Sequence, residues 1–137
     1  MFKLHPRLEG DTFLVANLKL CRLLLMNDEN YPWYILVPQV DNIQEIFQLS
    51  DIDQLQLMKE SNALSKFLVK QYAPDKLNIA ALGNVVPQLH IHHVVRYETD
   101  LAWPAPIWGK HPVKHYSEND VENILVKARE SMAELLN

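Results

Sequence analysis

Cysteine is almost missing from this chain: Cys21 is the single example in 137 residues. One cysteine excludes an intramolecular disulfide framework and a multi-cysteine zinc site, and it fits a reducing compartment. Its plain reading is a small buried apolar side chain. Long apolar runs are also missing. No stretch approaches the ~20 consecutive apolar residues of a membrane span, and the first ten residues lack the uninterrupted apolar core of a signal peptide. A soluble, cytoplasmic protein with no membrane partner is therefore expected. Basic charge is in deficit as well, since 13 Lys and Arg face 17 Asp and Glu for a formal charge of −4. A sequence-independent grip on a nucleic-acid polymer needs a basic face, so that partner class is excluded, whereas a small anion needs only a local site. With three glycines and no low-complexity segment or repeat, the chain reads as densely structured.

What is present is a 48% hydrophobic composition, enough for one core and too short a chain for two ordinary domains, so residues 1–137 are read as a single domain. Thr12 to Ala16 and Lys19 to Met26 read as strands around a turn near Asn17. The turn-forming cluster Asn27-Asp-Glu-Asn then leads to a third strand, Trp33 to Val37, ended by Pro38. Together these make an antiparallel meander. Ser50-x-x-Asp53 is a capping-box pattern, and Leu57, Ser61, Leu64 and Leu68 follow at helical spacing, predicting a helix from about Asp51 to Tyr72. Lys76 to Leu82 and Leu89 to Tyr97 read as two further strands around Gly83-Asn84. Ser117-x-x-Asp120 opens a last helix with an apolar stripe of Val121, Ile124, Leu125, Ala128, Met132 and Leu135. Strands with segregated helices predict an α+β domain: an antiparallel sheet of about five strands with helices on part of it. The segment Leu101 to Gly109 is apolar but interrupted by proline, and is expected to cross a surface in extended form. Its Trp103 and Trp108 are suited to stacking on a base, sealing a subunit interface, or packing on the chain's own core.

The chemistry concentrates in Gly83-Asn-Val-Val-Pro-Gln-Leu-His-Ile-His-His-Val-Val-Arg-Tyr97. Strand alternation puts Gln88, His90 and His92 on one face and Leu89, Ile91 and His93 on the other, with like-facing neighbours roughly 6.5–7 Å apart. Two imidazoles so placed can address one phosphoryl group, one as neutral nucleophile and one as donor. The same spacing suits ligation of a metal ion, with His111 or His115 as a third ligand, and His-x-His also occurs by chance on exposed strands. His93 is read as structural, and Arg96 as a strand-end arginine in solvent rather than on a phosphate.

The pattern Gly83-Asn84-x-Val86-x-Gln88-x-His90-x-His92, with Arg96 four residues further on, resembles the histidine-triad (HIT) motif. The resemblance spans residues of about 10 to 100, leaving 101–137 as a C-terminal extension. It implies a HIT-like fold, a homodimer and a nucleotide-binding phosphoester or phosphoramidate hydrolase, or a nucleotidyl transferase. In that reading His90 is the nucleophile, His92 bonds the non-bridging oxygens or the leaving group, and Gln88 and Asn84 hold phosphate oxygens. Asn27 falls near the ribose position, although an asparagine in a turn also has backbone reasons to be there. No cofactor is required, and a divalent cation is compatible with a polyphosphate substrate. Two departures stand out. Gln88 occupies the first histidine position, and in Tyr31-Pro-Trp-Tyr-Ile-Leu-Val-Pro38, which looks like the family's Gly-His-x-Leu-Val-x-Pro strand, Trp33 occupies that of a further histidine. Both keep a hydrogen-bonding group and lose a titratable one. Trp33 is expected to wall the nucleotide pocket. The rival functions are a non-catalytic nucleotide-binding module and a metal enzyme that uses His90 and His92 as ligands.

Overall fold

The computed structural model describes residues 1–136. Its elements are α1 (Pro6–Asp11), β1 (Thr12–Asn17), β2 (Cys21–Met26), β3 (Trp33–Pro38), a 3-10 turn (Ile46–Gln48), α2 (Asp51–Tyr72), β4 (Lys76–Ala80), β5 (Ile91–Arg96) and α3 (Glu118–Leu136). The strands form one five-stranded antiparallel sheet in the order β1-β2-β3-β5-β4, so the domain is α+β. The Ser50 hydroxyl accepts the Asp53 N–H at 3.1 Å and so starts α2 as the capping pattern predicts. Ala73 takes a left-handed φ of 45° ahead of Pro74 and stops it.

β3 and β5 are buried along their whole length, because both faces of the sheet are covered. On one face, Tyr34 and Leu36 of β3 and Ile91 and Val95 of β5 pack with Leu64, Phe67 and Leu68 of α2 and with Leu125 and Ala128 of α3. On the other, Trp33, Ile35 and Val37 of β3 and Val94 of β5 meet Leu4 and Leu8 from the N-terminal segment and Ala102 and Ile107 from the 101–116 segment. The second cover is made of short, irregular pieces. It is this cover that leaves room for a site.

Several boundaries differ from the sequence reading. β2 begins at Cys21 rather than Lys19, because the Leu18 N–H donates to the Cys21 carbonyl at 2.8 Å and closes a turn through residues 18–21. β4 ends at Ala80 and β5 starts at Ile91, so residues 81–90 are a long connection instead of a tight turn. The Leu89 N–H donates to Ile43, outside the sheet, at 2.9 Å. In α3 the buried stripe narrows to Val121, Leu125, Ala128 and Met132, leaving Leu135 exposed. The helix α1, absent from the sequence reading, has Pro6 in its first turn, and His5 caps it by accepting the Arg7 N–H at 3.1 Å.

Residues 101–109 form a run of turns rather than the extended chain expected, because the segment is held back against β5, and Arg96 is not solvated. Arg96 is 1% exposed and makes a two-pronged ion pair with Asp100 at 2.8 and 3.1 Å. Its remaining N–H groups donate to the Asn78 side chain at 2.7 Å and the Ala105 carbonyl at 2.8 Å, and its guanidinium lies over the Trp103 ring at 5.5 Å. Asp100 also accepts the N–H groups of Tyr97, Ala102 and Trp103. A buried arginine thus folds this segment back onto its own chain.

Burial works to raise the Asp100 pKa, but its hydrogen bonds from Arg96, Tyr97 and Trp103 outweigh this and hold it below the ordinary carboxylate range. The stability this contributes is present above the unfolded-state pKa of Asp100 and is lost as pH falls through the folded-state value. Asp100→Ala leaves Arg96 buried without its counter-charge, and urea denaturation at neutral pH should show a loss of about 3–5 kcal/mol, the scale for breaking a buried pair.

Candidate functional site

His92 is the second residue of β5 and lies opposite Ile35 of β3 and Ala80 of β4, with its ring on the face away from α2 and α3. His90 precedes the strand, so strand alternation does not place it. What aims its ring is a 2.7 Å contact between Nδ1 and the Gln88 carbonyl. The two imidazole centroids lie 4.8 Å apart, nearer than the spacing of like-facing positions on a strand, and both residues are about 5% exposed, at 6% and 5%.

Hydrogen-bond partners settle which nitrogen of each ring carries the proton. A carbonyl only accepts, so Nδ1 of His90 donates to Gln88 and Nε2 keeps a lone pair. An indole N–H only donates, so Nδ1 of His92 accepts from Trp33 Nε1, at 3.0 Å, and Nε2 carries the proton. The site therefore offers one free imidazole lone pair and one imidazole N–H side by side. Burial lowers the His90 pKa against the opposing effect of the Gln88 contact, with His5 lowering it further; burial, His90 and His93 push His92 down to about 3. Both rings are neutral at neutral pH. His93 points the other way, donating through Nδ1 to the Ile91 carbonyl at 3.1 Å and accepting the Ser61 hydroxyl of α2 at 2.7 Å, as a structural residue does.

His90 and His92 line a cavity of about 360 Å³, within the size range of small-molecule sites. Its walls are largely apolar: Leu8, Met26, Trp33, Val86 and Trp108. Trp108 stands edge-on to both His92, at 5.2 Å between centroids, and Trp33, at 6.2 Å. The polar lining is Arg7 and Asp11 from α1, Asn84, and the two histidines. A smaller recess of about 50 Å³ lies on the Gln88 side of His90. Among the described residues no three His, Cys, Asp or Glu side chains come together as ligands for a metal ion, so His111 and His115 do not complete a set with His90 and His92.

The HIT domain family model matches residues 7–99. The chain belongs to the HIT domain family. It is similar over its length to a histidine triad protein of Marinobacter aquaeolei VT8, with 47% identity, 98% of each chain covered and a TM-score of 0.95. It is likewise similar to a histidine triad protein of Bradyrhizobium japonicum, with 41% identity, 96% of this chain and 98% of that one covered, and a TM-score of 0.93. A hypothetical histidine triad nucleotide-binding protein of Sulfolobus tokodaii, 18% identical over 93% of this chain and 87% of its own, shares the fold with a TM-score of 0.68. No curated protein matches.

Within this HIT chain the residues singled out from the sequence separate. His90, His92, Trp33 and Asn84 come together on the cavity. Gln88 does not join them: its Oε1 accepts the His5 N–H at 2.9 Å and its Nε2 donates to the Lys3 carbonyl at 2.9 Å. Both ends of the amide hold the N-terminal segment in place, and with it α1 and its Arg7 and Asp11. Asn27 is also committed elsewhere, its side-chain oxygen accepting the Tyr116 N–H at 3.0 Å. With Asp28, which accepts the Lys114 N–H at 3.3 Å, it fastens the 101–116 segment that carries Trp108. Trp103 and Trp108 pack on their own chain, as one of the three readings of this segment expected, and both stay half-buried. Arg7, Leu8 and Asp11 were missed because their only sequence signal is the local Pro6 helix start, whereas their place in the site depends on Gln88 more than 80 residues away.

If Gln88 is a latch, Gln88→Met keeps its bulk and removes both bonds. Loss of two net hydrogen bonds should make opening of the N-terminal segment easier by about 1–3 kcal/mol, read as faster hydrogen exchange at the His5 amide. Unchanged exchange at His5 would show that the segment is held by Leu4 and Leu8 alone.

Proposed function

We propose that the cavity binds a nucleotide-like phosphate ester or anhydride and that His90 attacks its α-phosphorus, forming a covalent phosphohistidine that water then hydrolyses or an acceptor takes. The observation that carries this is the His90 tautomer: with Nδ1–H held by the Gln88 carbonyl, Nε2 presents its lone pair in a ring that lines the cavity. The Gln88 carbonyl also faces the charge that develops on the ring during attack. His92 Nε2–H is a donor for non-bridging oxygens, and Asn84 is a second polar group within the same lining. The apolar walls suit a nucleobase, with Trp33 and Trp108 as aromatic surfaces. Arg7 is the cationic side chain of the lining and can meet further phosphate.

The second reading, a nucleotide-binding module without turnover, is favoured by one observation: Gln88, at the first triad position, has both polar ends on backbone and none free for substrate. Single-turnover assays with nucleotide labelled at the α-phosphorus, quenched without acid, separate the two. Wild type should retain label on protein, and His90→Ala should lose at least ~10³-fold in turnover, about 4 kcal/mol of transition-state stabilisation. Binding with no label retained and no product would leave the module. Because only neutral His90 attacks and its pKa is depressed, activity should be level at neutral pH and fall only as pH drops through a value below that of ordinary imidazole.

The same reading includes a homodimer. Exposed apolar residues on α2 (Ile52, Leu55, Met58) and at the open edge strand β4 and the connection after it (Ile79, Leu82, Val85) offer area to a second copy. Light scattering should give about twice the chain mass, and a monomer at tens of micromolar would remove this element.

A further inference from the structure

Trp33 does more than wall the cavity. Its Nε1–H lies 3.0 Å from Nδ1 of His92, and an indole nitrogen has a proton to give but no lone pair to offer. Protonation of His92 at Nδ1 would set two N–H groups against each other across that distance. The only other proton on the ring sits on Nε2. Giving that proton away while Nδ1 stays blocked would leave an imidazolate, a strongly basic anion disfavoured in a largely apolar lining. His92 therefore donates a hydrogen bond through Nε2 without being able to pass the proton on.

On the reading of the site given above, we propose that Trp33 is a specificity-determining residue: it fixes His92 as a neutral donor and confines the reaction to leaving groups that depart as weakly basic anions. Phosphate, pyrophosphate, carboxylate and activated phenolate belong to this class. Amines and alkoxides, which must be protonated as they leave, do not. In the covalent step the Nε2 lone pair of His90 forms the N–P bond, the bond from phosphorus to the leaving oxygen breaks, and that oxygen takes the electron pair and leaves as an anion. In the second step water oxygen bonds to phosphorus, the N–P pair returns to Nε2, and the water proton passes to solvent. No side-chain proton is consumed in either step.

Among the described residues that line the cavity with His92 there is no other proton source, and His5, which acts on His90 from the N-terminal segment, is outside that lining. On its own strand and the approach to it stand His90, whose proton is held by the Gln88 carbonyl, and His93, whose ring is bound to Ile91 and Ser61 on the opposite face. β3 presents Trp33 and the 101–116 segment presents Trp108, neither of which titrates near neutrality. From α1 the cavity receives the side chains of Arg7 and Asp11. Burial and the neighbouring histidines push the His92 pKa down to about 3, in the same direction as the geometric block.

Two measurements on the intact protein test this. Nitrogen-15 NMR of the imidazoles should show His92 as the neutral Nε2–H tautomer throughout about pH 5 to 8, the range in which ordinary histidines titrate. Trp33→Phe, which removes the N–H and keeps an aromatic ring, should release that single tautomer. Turnover should then be compared across aryl esters of one nucleoside 5′-monophosphate, with the alkyl ester and amidate of the same nucleotide. In wild type kcat/KM should fall steeply with leaving-group basicity, putting alkyl esters and amidates at least ~10²-fold below the nitrophenyl ester, the scale of a missing general acid. Trp33→His, with a ring that accepts as well as donates, should narrow the gap. Titration of His92 above about pH 6, or wild-type rates independent of the leaving group, overturns the role of Trp33 and leaves His90 as nucleophile. A locked His92 with no turnover of any ester overturns the proposed reaction, and the restriction on leaving groups with it.

Discussion

β5 lies between β3 and β4 with both faces covered, so the polar atoms its side chains bring must find partners inside the protein except where they face the cavity, as His92 Nε2 does. That constraint organises the molecule. His93, on the helix face, is matched by Ser61 of α2 and by its own backbone. On the other face His92 is matched by Trp33, and Arg96 by Asp100, Asn78 and Ala105. One strand thereby couples the helical layer, the cavity and the 101–116 segment.

The same requirement explains why two departures from the triad pattern are compatible with an intact fold. At both positions the replacing side chain keeps a hydrogen-bonding function of fixed polarity. Trp33 supplies a donor that cannot become an acceptor, which gives His92 one tautomer. Gln88 supplies a donor and an acceptor at once, matching a carbonyl and an N–H of the N-terminal segment. Its own main-chain carbonyl meanwhile sets the His90 tautomer. Side chain and backbone of the same residue thus serve the two sides of the site.

Cover over the second sheet face comes from segments with little regular structure, and side-chain hydrogen bonds of long sequence separation hold them. Asn27 and Asp28 bind the 110–116 stretch, Asp100 and Arg96 turn the chain after β5, and Gln88 holds residues 3 to 5. Each such bond closes a site wall without filling the space in front of the histidines. Trp108 and α1 are the walls so placed.

Local signals were sufficient for the order of the five strands with α2 and α3, for the Ser50 cap and for the family motif, because periodicity and capping act between residues a few positions apart. Alternation also assigned His93 to the core, since opposite sides of a strand differ by one residue. It did not reach His90 and Gln88, which lie ahead of the ladder and are oriented by contacts outside it. Arg96 was read as solvated because its charge argues for water unless a counter-charge is known, and only the chain turn at Asp100 with the return of Ala105 supplies one. The residues of the site that carry chemistry were legible in the sequence as types. The His90 tautomer rests on a local contact, with the Gln88 carbonyl two residues away, whereas the His92 tautomer and the identity of the cavity walls were decided by tertiary structure, because Trp33 lies 59 residues from His92 and Lys3 lies 85 residues from Gln88.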